Sequence, residues 1–181
     1  MTLGLIHMGL NHFPFVALLF CAFHLAYAMT VKDDRQITIG LWTLILAAGM
    51  TLPVYFTGWG ANDLIIEHIT AESRRLVTLH QDTAGIPFTL MVVIGAIAGG
   101  GLLFHRKHKR WPRNLFAGTY LLMALTLISL GYVSHQGGQI RHTEIRTGDS
   151  RAAGFSKDDD WDRFRMPPPL AGPAHKESLN Q

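Results

Sequence analysis

The sequence holds a single cysteine, Cys21, in 181 residues. A disulfide within the chain is therefore excluded, and so is covalent haem attachment, because no C-x-x-C-H run occurs. Charge is also scarce: Asp, Glu, Lys and Arg make up 16% of the chain, against roughly a quarter in soluble domains. The net charge is only +3, and Lys and Arg fall between the apolar stretches, which argues against a nucleic-acid-binding surface. No nucleophile–base signature, phosphate loop or metalloprotease motif is present, so hydrolytic and phosphoryl-transfer chemistry has no support. Residues 1–12 contain no Lys or Arg. Although Ala26-Tyr27-Ala28 looks like a cleavage site, the first apolar stretch therefore reads as an uncleaved span.

What the chain has in quantity is apolar sequence, 48% of it, gathered in blocks at roughly 13–29, 37–57, 84–104 and 115–133. Each is long enough to cross a ~30 Å hydrocarbon layer at ~1.5 Å per helical residue. The pattern predicts an all-α, integral membrane four-helix bundle over residues 1–142, with spans at about 8–29, 37–58, 79–104 and 115–136. An extended polar C-terminal tail follows over 143–181. Pro14 costs little if the first helix begins at Asn11 or His12. Gly40, Thr43, Ala47, Thr51, Val54 and Gly58 line one narrow face of the second helix, a face suited to close helix packing. Ala61–Thr78 mixes apolar and charged residues and is expected to lie in the interface. Pro87 is expected to kink the third helix.

The connectors fix the expected orientation. Lys32, Arg35, Arg106, Lys107, Lys109, Arg110 and Arg113 lie in the first and third, which the positive-inside rule places in the cytoplasm. Both termini then face the periplasm of a bacterial inner membrane. The tail after Thr143 carries Ser156-Lys157-Asp158-Asp159-Asp160 and the triple proline 167–169, a composition that cannot build a core. Its Phe155, Trp161, Phe164 and Met166 suit an arm that docks on another subunit or folds back over the outer face of the bundle.

Ten histidines are unusual in so apolar a chain. His7, His12, His68, His80, His135 and His142 fall toward the outer face, His24, His105 and His108 toward the inner, and His175 in the tail. Gly131, His135 and Gly138 share a face of the fourth helix, where glycines leave room for a flat group. His80, Ala84, Pro87 and Met91 share a face of the third. Two imidazoles at one depth are the axial pair of a bundle-held b-type haem. The expected pair is His80 with His12 or His135, the iron being the metal they ligate, and Arg141 serves a propionate. Set beside this are plain packing glycines, histidines satisfied at the interface, and a zinc or copper shell that Asp82 would join. His105 and His108 read as part of a solvated charged turn. His24 stands about 120° round the helix from His12, so the two cannot share a site.

Asn11-His12-Phe13-Pro14-Phe15, Phe56-Thr57-Gly58-Trp59, His80, Gly131-Tyr132 and Gly137-Gly138 together resemble a bacterial family. It is a four-helix membrane family catalogued only as a domain of unknown function (number 2231), and the likeness covers roughly residues 5–142. Met8 stands where the family has proline after the first histidine, which leaves His7 without an expected role. Some relatives look fused to c-type cytochrome domains, which implies membrane electron transfer. The expectation is a b-type cytochrome-like subunit of a respiratory or photosynthetic complex, passing electrons between the quinone pool and a periplasmic acceptor. Its partners are other membrane subunits, a periplasmic cytochrome, quinone and the lipid bilayer, and no nucleic acid. The alternatives are a cofactor-free accessory subunit and a pigment-binding one.

Overall fold

A computed structural model describes residues 3–65, 69, 71–112 and 114–142. The tail, where the docking arm is expected, lies outside the described residues. Five helices follow one another: α1 (Leu3–Leu10), α2 (Phe13–Val31), α3 (Asp34–Ile65), α4 (Ala71–His108) and α5 (Leu115–Arg141). Among the described residues there is no strand. The first two helices form one span broken at Asn11–His12, and Pro14 sits in the first turn of α2, where its missing amide is not needed. The four spans are long and apolar enough to cross a membrane.

Local chemistry sets the helix ends. Lys32 adopts a left-handed conformation (φ 53°), and its N–H closes α2 onto the carbonyls of Ala28 and Met29. The Asp33 carboxylate then accepts the backbone N–H of Arg35 at 2.8 Å, satisfying a free donor at the start of α3. Lys109 is the second left-handed non-glycine residue (φ 55°) and stops α4 in the same way. α3 and α4, at 32 and 38 residues, would measure about 48 and 57 Å, longer than the expected spans. Ala61–Thr78 is accordingly not one interfacial segment: its two ends extend α3 and α4.

The interior is built as a membrane interior must be, on shape rather than on polarity, because lipid is as apolar as leucine. Leu18, Leu41, Leu44, Met91 and Ile94 are fully buried, while Trp59 and Ile128 are 71% exposed on the outside. Small residues set the spacing. A methyl added at Gly40 would lie 2.5 Å from Leu25, at Gly95 2.8 Å from Cβ of Ala48, and at Gly101 2.7 Å from Leu115. Of the small-residue face expected on the second span, Gly40, Ala47, Thr51 and Val54 are buried. It is a packing face inside the bundle.

The two halves of the bundle repeat one pattern. Pro14, Leu18, Cys21, Leu25 and Ala28 are the buried line of α2. Pro87, Met91, Ile94, Ala98 and Gly101, each 73 residues later, are buried along α4. Gly40, Leu44, Ala47, Val54 and Thr57 of α3 are buried, and so are Thr119, Met123, Thr126, Val133 and Gln136 of α5, each 79 residues later. α1 and α2 pack on α3 as α4 packs on α5. The chain is two like helical pairs side by side.

Candidate functional site

The repeat carries a histidine in each half. His7 on α1 reaches across to α3, where its Nδ1 lies 2.8 Å from the carbonyl oxygen of Val54. His80, 73 residues on, reaches from α4 to α5, where its Nδ1 lies 3.0 Å from the carbonyl oxygen of Val133. A carbonyl has no proton to give, so Nδ1 is the protonated nitrogen in both rings. In each neutral ring the lone pair is therefore on Nε2, the form in which imidazole binds metals.

A glycine makes each approach possible. Val54 and Val133 already serve as helix acceptors for the residue four positions on, and a side chain there would tilt over the carbonyl. Those residues are Gly58 and Gly137. A methyl at Gly58 would stand 3.2 Å from Cε1 and 3.4 Å from Nδ1 of His7, and one at Gly137 3.3 Å and 3.5 Å from the same atoms of His80. The near identity of the two geometries makes them one device used twice.

Buried polar groups surround this end of the bundle. Thr83, one turn past His80, donates its hydroxyl to Oε1 of Gln136 at 2.7 Å. Gln136 is 3% exposed, and its Nε2 is buried without a partner, as is Oδ1 of Asn62, one turn beyond Gly58. Such groups cost about 1–3 kcal/mol each when left unpaired, so a bound polar group would relieve them. α1 packs on α3 without comparable contact to α4 or α5 among the described residues.

The other expected residues lie elsewhere. His12 is exposed in the break between α1 and α2. His135 is exposed, two residues past Val133 on the opposite side of α5, with Nε2 accepting from the Gln139 amide at 3.1 Å. Gly131 has nothing within 4 Å of an added methyl. The carbonyl of Gly138 accepts the N–H of His142. Arg141 ends α5, and its side chain lies outside the described residues. Asp82 is exposed. No group of three His, Cys, Asp or Glu among the described residues is placed to hold a metal ion, which removes the observation a zinc or copper shell would need. At the opposite end, His24 bonds the carbonyl of Gln36 at 3.2 Å, and His105 stacks flat on Trp111 at 3.9 Å, half-buried rather than solvated.

No family model, curated protein or solved structure matches the chain. Of the residues in the quoted motifs, Gly58 touches His7 and Gly137 touches His80. His7 had a signal of its own. Both halves read His, six residues, Pro-Phe, as His7…Pro14-Phe15 and His80…Pro87-Phe88, and both read Val, three residues, Gly.

Proposed function

We propose that the chain is a membrane electron-transfer subunit, b-type cytochrome-like, in which His7 and His80 are the residues that would hold a haem. The observation that carries this reading is the matched pair of Nδ1–H···O=C bonds, 2.8 and 3.0 Å, which fix both rings in the ligating tautomer. The donor set fits the group. Two neutral imidazoles from facing halves suit a low-spin iron, and the unpartnered Gln136 amide supplies a hydrogen-bond donor in the same interior. Haem, when bound, would supply a one-electron couple. The residues orient and insulate: the carbonyls of Val54 and Val133 hold the rings, Gly58 and Gly137 let them seat, and the buried lines of α2 and α4 exclude water.

In this reading the protein sits in a bacterial inner membrane with both termini in the periplasm. It exchanges electrons with quinone on one side and a periplasmic acceptor on the other, and the tail is the arm that attaches it to its complex.

The test is a reduced-minus-oxidised visible spectrum of the purified full-length chain. His7→Ala and His80→Ala should each lose the low-spin bands, with the protein still in the membrane, while His12→Ala and His135→Ala keep them. Unchanged low-spin bands in both the His7 and His80 variants would refute the pairing. A colourless wild-type protein would return the function to a cofactor-free accessory subunit, and chlorophyll-type bands to a pigment carrier.

A further inference from the structure

At the end of the bundle away from the paired histidines, α3 and α4 part to leave a groove of about 610 Å³. Its lining changes character with depth. Along the helices, Ile45 and Gly99 lie farthest from the connector and make the floor, Trp42 lies one turn nearer, and Thr38, Arg106 and Lys109 lie at the connector end, the mouth. Because α3 and α4 run antiparallel, Arg106 lies roughly 10 Å of helix rise above Gly99, with Trp42 between.

Among the described residues, no ion pair offsets the charge at the mouth. No carboxylate among the described residues forms an ion pair with Arg106 or Lys109; Asp34, on α3, accepts the Trp111 indole N–H at 2.8 Å. Trp42 is 61% exposed, an indole standing where tryptophan marks a membrane interface. The floor exists because residue 99 is glycine. A methyl there would meet only Cδ1 of Ile45, at 4.0 Å, and a larger side chain would project into the groove space. A cation pair over an apolar cleft between two spans, open to the bilayer, suits one kind of occupant. A phosphate would lie at the mouth and an acyl chain along the floor.

We propose that this groove is a binding site for an anionic phospholipid from the leaflet that faces the basic connector. Arg106 and Lys109 take the headgroup phosphate, Trp42 covers the glycerol region, and the space over Gly99 takes the first part of one chain.

Native mass spectrometry of the full-length protein, released from vesicles of mixed phosphatidylglycerol and phosphatidylcholine, tests this. Wild type should retain phosphatidylglycerol about tenfold over phosphatidylcholine, and millimolar inorganic phosphate should not displace it. The double variant R106Q/K109Q should lose that preference. The double variant K107Q/R110Q removes as much charge from the same turn outside the groove and should keep it. Gly99→Leu changes no charge and should expel the lipid while leaving the thermal transition within a few degrees of wild type. Equal retention of the two lipids by wild type, or loss only in step with total charge, would overturn the proposal. So would displacement by phosphate alone, or retention in Gly99→Leu.

Discussion

Replacing Gly137 by alanine measures how firmly His80 is held. The new methyl would stand 3.3 Å from Cε1 and 3.5 Å from Nδ1, so the ring must retreat by a few tenths of an ångström. Retreat stretches the 3.0 Å bond to Val133, whose net worth is about 0.5–1.5 kcal/mol. Against this, alanine is the better helix former by roughly 0.8–1 kcal/mol in an aqueous helix interior. The sum for Gly137→Ala alone is therefore near zero and uninformative. Gly131→Ala supplies the reference: it lies in the same helix and its methyl meets nothing within 4 Å, so it keeps the propensity gain only. The difference between the two variants should be about 0.5–1.5 kcal/mol in favour of Gly131→Ala. At roughly 2–4 °C per kcal/mol for a chain of this size, circular dichroism melts in one detergent resolve it. A cycle with His80→Ala makes the test specific, because residues in contact couple by about 0.5–3 kcal/mol. Additive Gly137→Ala and His80→Ala effects, or Gly137→Ala and Gly131→Ala of equal stability, would refute the seating of the ring.

Two further outcomes follow from the packing and the connectors. Gly95→Ala and Gly40→Ala should both cost more than Gly131→Ala in the same melts, because the new methyl would stand 2.8 Å from Cβ of Ala48 in the first and 2.5 Å from Leu25 and 2.9 Å from His24 in the second, against nothing within 4 Å at Gly131. A periplasm-specific reporter fused at Gln181 should be active and one fused at Lys109 silent, and the reverse would invert the orientation that the basic connectors imply.

The spans were legible because hydrocarbon thickness imposes a length that composition alone reveals. Their facing was not. In a soluble helix the apolar stripe points to the core, but here Leu18 and Trp59, one buried and one exposed, are equally at home in lipid and in protein. Spacing within α5 therefore showed that Gly131, His135 and Gly138 share a face without showing that the face turns outward. One residue, about 100° of helix, separates Gly138 from the Gly137 that meets His80. His80 stands out in the sequence because Ala84 follows it on the same helix face, and the structure half-buries it. Met8, the neighbour that departs from the family pattern, hides His7 from a reading by resemblance. Comparing the two halves of the chain with each other, rather than each helix with itself, would have recovered it.

The repeated pair of helices has a bearing on descent. A unit with two spans returns the chain to the side it started from, so copying and joining it end to end keeps both copies upright in the bilayer. Both imidazoles then emerge at the same depth. A unit with an odd number of spans would have been inverted on joining, with its histidines in opposite leaflets. An ancestor of half this length, pairing with itself, would present the same two rings across a true symmetry axis. The two halves are not identical: α1 and α2 are broken at Asn11–His12, where α4 runs unbroken through the equivalent turn.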